Sequence, residues 1–163
     1  VVKKNEEPTL FKDFLKAQRV IHYYEIARNL SDVRQKSPTL LSLKFRKALD
    51  MGFKIDLEDY HRALSQKEIA ISYFQGFFDG FDAIIAPSSL GEAPLFRDGT
   101  TGDPICSTIW TLCGFPCLTI PALVSRNDMP IGVQLIGKRE CDDKLLGVGS
   151  WLLDKLKNQE GLC

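Results

Sequence analysis

The sequence lacks the features that would assign the chain to a membrane or to a nucleic acid. Its apolar runs, such as Ala83–Pro87, are far shorter than the roughly 20 residues that a membrane-spanning helix needs. The opening residues, VVKKNEE, contain no apolar signal core. Its 21 basic and 21 acidic residues balance, so no net charge attracts DNA, RNA or an anionic membrane. We therefore expect neither a nucleic-acid partner nor a membrane partner.

The sequence also has only two histidines, and its cysteines are not regularly spaced. The five cysteines are an odd number without regular spacing, which argues against a disulfide framework and favours reduced thiols in a cytoplasmic protein. Cys106, Cys113 and Cys117 lack the close pairing that a structural zinc site requires. We therefore expect no metal and no cofactor. A cysteine brought by the fold to His22 or His61 remains an alternative for nucleophilic chemistry.

What the sequence does contain begins with a helical half, residues 1–80. Apolar residues recur at steps of three and four, which predicts amphipathic helices. We expect the first over Pro8–Arg28. The second should begin at Ser37-Pro38, because serine caps free amides and proline suits the first helical position, and should stop at Gly52. The third should run from Asp56 to Gly80.

Residues 81–163 alternate strands with helices. The segment Phe81–Ala86 predicts a short strand whose two faces are both covered, because its apolar residues are consecutive. Pro87 should end it and lead into a loop. Further on we expect a helix over Ile105–Cys113 closed by Gly114, an antiparallel hairpin of Cys117–Val124 and Ile131–Ile136, and a last helix that opens at Asp142 and approaches the sheet closely at Gly149.

Together the two halves predict an α/β fold. A helical N-terminal half is followed by a partial mixed β-sheet of about three strands that is flanked by helices. We interpret residues 1–80 and 81–163 as one partial domain in which the helical segment packs on the sheet.

Three segments, in this order, resemble the C-terminal part of the amidase signature family. They are Asp82–Pro87 (DAIIAP), Trp110–Pro116 (WTLCGFP) and Pro130–Gly137 (PIGVQLIG). Weaker similarity lies in Tyr24–Arg28 (YEIAR) and Leu57–Tyr60 (LEDY). The resemblance implies that the three main segments form a strand that leads to a pocket loop, a pocket helix, and a hairpin of the central sheet.

The resemblance also implies a mechanism whose reagents are missing here. The family uses a lysine, a serine held by a cis peptide bond, and a nucleophilic serine in a stretch rich in glycine and serine. This sequence has no such stretch; the pair Ser88-Ser89 has only Gly91 nearby. We therefore expect no catalytic residue in this chain and no activity of the chain alone. The implied partner is the N-terminal half of the same amidase, and a small amide would be a substrate only of the full-length parent. A first residue other than Met fits an internal or processed segment.

By the same resemblance, the candidate substrate-binding residues are Ser107, Thr108 and Trp110. Trp110 offers a flat apolar surface with one N–H donor, although packing in the core is an equal alternative. Asp103 is expected to cap the helix rather than to bind a ligand. The amidase-family component of an aminoacyl-tRNA amidotransferase is a second reading of the resemblance. That branch usually has an acidic residue in this stretch, and Ser107–Trp110 contains none.

A stand-alone, non-catalytic binding domain is the alternative of a different class. The two hypotheses differ in what they expect of the isolated chain. A segment separated from its other half exposes sheet edges and apolar helix faces, and these would drive self-association. A soluble monomer that unfolds cooperatively would instead favour the stand-alone domain.

Overall fold

The computed structural model describes residues 7–157, together with the side chains of residues 10–97 and 99–157. Residues 1–6, which hold most of the segment inspected for a secretory signal, lie outside this range. The described part contains six α-helices and a three-stranded sheet. The helices are α1 (Glu7–Asn29), α2 (Ser31–Lys36), α3 (Leu43–Phe53), α4 (Leu57–Gln75), α5 (Ile105–Cys113) and α6 (Asp142–Lys157), and the strands are β1 (Ile84–Pro87), β2 (Cys117–Val124) and β3 (Pro130–Ile136). None of these helices is long and apolar enough to cross a membrane.

The chain forms two compact units, residues 1–71 and residues 72–163, and α4 contributes residues to both. In the first unit α1 packs closely against α3. The reason is Gly52, because a Cβ at this position would lie 2.0 Å from the carbonyl oxygen of Tyr23. Only glycine allows two helix backbones to approach so closely. Phe14 and Leu49 are fully buried in this unit.

A group of polar and aromatic side chains ties the same helices to the first part of α4. The guanidinium of Arg28 lies 3.2 Å from the ring centroid of Tyr24 and donates to the Gly52 carbonyl at 3.3 Å. Tyr24 stacks on Tyr60 with ring centroids 4.0 Å apart. The Tyr60 hydroxyl donates to Glu25 at 2.9 Å, and this hydrogen bond raises the pKa of Tyr60. The weaker similarity segments therefore lie in a structural contact of the first unit.

The helix predictions for this half are confirmed in part. α1 and the start of α4 agree with the sequence to within a residue, although α4 ends at Gln75 and a 3₁₀ turn continues to Asp79. The predicted start at Ser37-Pro38 is wrong, because Pro38–Leu40 forms only a single 3₁₀ turn. The cap of α3 is Ser42, whose hydroxyl oxygen accepts a hydrogen bond from the Phe45 amide at 3.2 Å.

The second unit is built on a sheet with the strand order β1-β3-β2. Both neighbours of the central strand β3 are antiparallel to it, with Ile85 and Leu118 each paired to Leu135. The α/β class, the three strands and the antiparallel hairpin are thus confirmed. The prediction of a mixed sheet is wrong, since no parallel pair occurs among the described residues.

Helices cover both faces of the central strand. Leu135 is fully buried and packs with Ile120 of β2 and Leu145 of α6. α6 approaches the sheet closely at Gly149, where a Cβ would lie 2.3 Å from the Cδ2 atom of Leu118. Gln134, the residue before Leu135 in β3, points to the opposite face, because the side chains of neighbouring residues in a strand alternate. Its side chain donates a hydrogen bond to Cys106 of α5. α5 and α6 therefore lie on opposite faces of the sheet.

The edge strand β1 is less covered than its sequence predicts. It spans Ile84–Pro87 rather than Phe81–Ala86, and Ile85 is 63% exposed. Consecutive apolar residues predicted that both faces of β1 are covered, and the exposure of Ile85 shows that one face is not. Within the described residues, β1 also pairs with a strand along only one of its two edges. Leu146 of α6 is also exposed at 58% rather than part of the apolar side of its helix.

Candidate functional site

The three predicted substrate-binding residues lie on α5, a helix of nine residues whose ends match the sequence prediction. The carboxylate of Asp103 accepts a hydrogen bond from the amide of Ile105, the first residue of the helix, at 2.9 Å, although the N-cap position itself is occupied by Pro104. Gly114 closes the helix with φ of +67°, a left-handed conformation that favours glycine. Local signals at both ends thus place Ser107, Thr108 and Trp110 in the first two turns of one helix.

Ser107 and Thr108 use their hydroxyl protons within their own helix. Both donate to the carbonyl oxygen of Pro104, at 3.0 Å and 2.9 Å. A hydroxyl oxygen keeps its lone pairs when its proton is engaged. These two half-buried side chains therefore offer acceptors, rather than donors, to a ligand that reaches them.

Trp110 belongs to an aromatic cluster of the second unit. Its ring centroid lies 4.8 Å from that of Phe74, with the planes at 67°, and Phe115 is a further edge-on neighbour of Phe74 at 6.5 Å. Such pairs add about 0.5–1.5 kcal/mol beyond the area they bury. Trp110 is half-buried, so one part of its surface packs and another remains accessible.

The loop between β1 and α5 is tied to the hairpin β2–β3. The Ser88 hydroxyl donates to the Gly132 carbonyl at 2.8 Å. Glu92 accepts hydrogen bonds from the hydroxyl of Ser125 and, at 2.5 Å, from the side-chain amide of Asn127. These two donors hold the pKa of the Glu92 carboxyl below its usual range. The loop is thus fastened at its first residue and again four residues further on.

The neighbouring serines of this loop are not arranged as a nucleophile and its base. Ser88 donates to the carbonyl of Gly132, and Ser89 donates to the carbonyl of Gly91 at 2.6 Å. A carbonyl oxygen does not remove a proton, so neither hydroxyl is activated by the partner it has.

The thiol of Cys117 is not activated for nucleophilic chemistry. The Cys117 thiol donates to the Phe115 carbonyl at 3.6 Å, and burial of the sulfur raises its pKa even though the residue as a whole is exposed. A raised pKa keeps the thiol protonated at neutral pH, and the protonated form is a poor nucleophile. In the part of the chain that the structure describes, no group of three or more His, Cys, Asp or Glu side chains is placed to hold a metal ion.

Sequence reasoning missed Gln134, the one polar residue that is buried among the described positions. It is 3% exposed, and its side-chain amide donates to the Pro87 carbonyl at 2.9 Å and to the Cys106 carbonyl at 2.6 Å. The available signal was a single amide in the middle of the apolar strand PIGVQLI. Buried polar groups are nearly always hydrogen-bonded, which makes such a residue a candidate for a structural tie.

A groove runs beside β1 on the face that α6 covers. It has a volume of about 690 Å³, and its lining includes Phe81, Ile85 and Trp151. These three side chains are 65%, 63% and 60% exposed. Lys144 and Asp82 form an ion pair at the lining, with nitrogen and oxygen 2.8 Å apart. Large apolar side chains that gather at the surface indicate an interaction site.

The described residues of the second unit thus form an antiparallel sheet with a helix on each face, which is an α/β arrangement. A family model described as Amidase matches residues 10–146. The chain belongs to the amidase family, and the resemblance seen in the sequence is confirmed.

Curated relatives include the A-subunits of glutamyl-tRNA(Gln) amidotransferases. The mitochondrial protein of Homo sapiens is 32% identical over 91 residues, which cover 51% of this chain and 17% of that protein. The protein of Neisseria meningitidis is 37% identical over 93 residues, which cover 54% of this chain and 19% of that protein. The chain therefore spans about a fifth of the length of these relatives.

Solved structures of amidases have the same fold. A crystal structure of an amidase superposes with a TM-score of 0.76 at 23% identity and covers 89% of this chain and 36% of that one. A bacterial aryl acylamidase of the amidase signature family superposes with a TM-score of 0.63 at 18% identity, over 83% of this chain and 32% of that one. At these identities the likeness establishes the fold alone.

Proposed function

We propose that the chain is the C-terminal segment of an amidase signature hydrolase. In this proposal the chain completes the sheet and forms one wall of the substrate pocket. The lysine and the two serines that break the amide bond belong to the N-terminal half of the same amidase. The observation that carries the proposal is the family match over residues 10–146, in a chain that spans only about a third of solved amidases.

The partner, the N-terminal half, has a suitable surface to cover. One edge of β1 pairs with no strand among the described residues, and the groove beside it exposes Phe81, Ile85 and Trp151. Burying an Ile or Phe side chain contributes about 1.5–3 kcal/mol, and pairing a free strand edge also satisfies its backbone groups. When the N-terminal half is absent, the same surface is expected to drive self-association.

The substrate of the full-length parent would be a small amide that meets α5. Trp110 supplies a partly accessible apolar face, and Ser107 and Thr108 supply acceptor oxygens suited to the N–H groups of an amide. This assignment of the three residues rests on the resemblance of the segment and on their half-buried positions. The cytoplasmic location expected from the cysteines likewise stays a prediction.

The test compares the 163-residue chain with a longer product of its reading frame that includes upstream sequence. We expect hydrolysis of simple amides, and labelling by a serine-directed inhibitor, only in a product that contains an upstream lysine and a segment rich in glycine and serine. Amide turnover by the isolated chain that is abolished by changing one of its own side chains would overturn the proposal.

A component of an aminoacyl-tRNA amidotransferase is the second candidate, and its support is the identity of 32% and 37% to such proteins. The lack of a carboxylate in residues 107–110 argues against it only mildly. The two candidates differ in substrate. An amidotransferase component would act on a glutamyl-tRNA, whereas a simple amidase would hydrolyse small amides without tRNA.

A further inference from the structure

We propose that Gln134 is a positioning residue that clamps the two ends of the loop 88–104 and thereby sets the position of α5. Only the consequence for substrate binding rests on the proposed function. The clamp itself is a property of this chain that holds whichever reaction the parent catalyses.

The geometry places one amide nitrogen between the two ends of the loop. Pro87 is the last residue of β1, where the loop begins, and Cys106 lies in the first turn of α5, where the loop has ended. The Nε2 atom of Gln134 donates to the carbonyl oxygens of both, at 2.9 Å and 2.6 Å. The loop between them exposes Leu90 and Leu95 and is otherwise fastened through Ser88 and Glu92.

The chemistry of the contact requires a neutral amide. Both partners are carbonyl oxygens, so the group between them must supply two hydrogens from one atom. Glutamine does this, ionised glutamate supplies none, and methionine has the length without the donors. Because Gln134 is 3% exposed, water does not readily replace the lost donors, and a substitution removes both hydrogen bonds at once.

The same contact bears on Trp110. Cys106 and Trp110 are four residues apart on α5, so they lie on one face of the helix in adjacent turns. Gln134 holds the first of these turns, and the Phe74 ring packs against Trp110 in the next. Loss of the clamp should therefore move or loosen the turn that holds Trp110.

The test uses Gln134→Met and Gln134→Glu in a background that carries Trp151→Phe. The sequence has two tryptophans, so Trp110 is then the sole tryptophan and its emission reports on α5. Trypsin provides a second readout, because Arg97 is the only basic residue between Ser88 and Pro104, and Arg139, in the turn after β3, is an internal reference outside the loop and the hairpin turn that Glu92 contacts. We expect the Trp110 emission to shift. We also expect cleavage after Arg97 to rise about tenfold relative to cleavage after Arg139, because loss of both hydrogen bonds favours local opening of the loop.

The matched control is Ile136→Val, a change two residues along the same strand at a fully buried position. A general loss of stability raises cleavage at both arginines alike and leaves the Trp110 emission of the folded protein unchanged. The proposal is overturned if the Gln134 variants behave as this control does.

A measurement on the unsubstituted chain covers the case in which the variants do not fold. With ¹⁵N-labelled glutamine, one side-chain amide pair should exchange with solvent much more slowly than those of exposed glutamines, because both of its hydrogens are held in the interior. Uniformly fast exchange of all glutamine side chains contradicts the clamp. In a catalytically active parent, Gln134→Met should raise KM more than it lowers kcat. An inactive parent would count against the proposed function but not against the clamp, which the fluorescence, trypsin and exchange measurements decide.

Discussion

At the scale of single residues, the second unit depends on polar contacts that join segments distant in sequence. Gln134, Ser88 and Glu92 each bind a group that lies at least 28 positions away. Sequence patterns report on neighbours in the chain, so the partners of these side chains were not predictable. What was predictable is a local contact at the start of α5, where Asp103 accepts from the amide two residues along.

Glu92 predicts a dependence of stability on pH. Its carboxyl has a lowered pKa in the folded chain because Ser125 and Asn127 donate to the charged form. A lowered pKa stabilises the fold above the ordinary carboxyl pKa, and this contribution disappears as the pH falls through the folded-state value. We therefore expect Glu92→Gln to lower the urea midpoint of the second unit at neutral pH and to have progressively less effect as the solution is acidified through the carboxyl range.

The control for this prediction is Ser125→Ala, which removes the main donor. In that background the pH-dependent effect of Glu92→Gln on the urea midpoint should shrink. Tryptophan fluorescence measures the unfolding of four proteins: the unsubstituted chain, the two single variants and the double variant. An effect of Glu92→Gln that is the same at every pH would show that the carboxylate is not stabilised by these donors.

At the scale of elements, prediction succeeded where the boundary signals are local. α5 has its predicted ends because Asp103-Pro104 precedes it and Gly114 follows it, and the hairpin has its predicted strands because polar turn residues separate them. The start of α3 failed for an instructive reason. Ser37-Pro38 and Ser42 are competing start signals, and the first produces only a 3₁₀ turn.

Two serine substitutions distinguish these start signals. Ser42→Ala removes the hydroxyl that accepts from the Phe45 amide, so it should destabilise the first unit by about 1 kcal/mol, the usual cost of losing such a cap. Ser37→Ala is the matched control, because the Ser37 side chain caps nothing and its loss should change little. Urea unfolding followed by far-UV circular dichroism measures both, and equal effects would contradict the assigned cap.

At the scale of the whole molecule, the sequence alone could not show that one face of β1 is exposed. The apolar run of β1 was predicted to be a strand with both faces covered; the strand is present at Ile84–Pro87, but Ile85 is 63% exposed. A strand rich in consecutive apolar residues is typical of a buried position. The sequence of β1 is thus suited to a more enclosed environment than the one it has in this chain, in agreement with a segment that covers about a third of solved amidases.

This mismatch predicts how the isolated chain behaves in solution. We expect it to self-associate through the edge of β1 and the groove beside it, and Ile85→Lys to weaken the association roughly tenfold or more, because a charge replaces an apolar side chain of an edge strand. Leu40→Lys is the matched control, since Leu40 is 83% exposed and belongs to the first unit rather than to the sheet. Sedimentation velocity over a range of concentrations measures both variants. A chain that stays monomeric and unfolds cooperatively at every concentration would favour the stand-alone domain, whereas weakening by Ile85→Lys alone would locate the surface that the N-terminal half is proposed to cover.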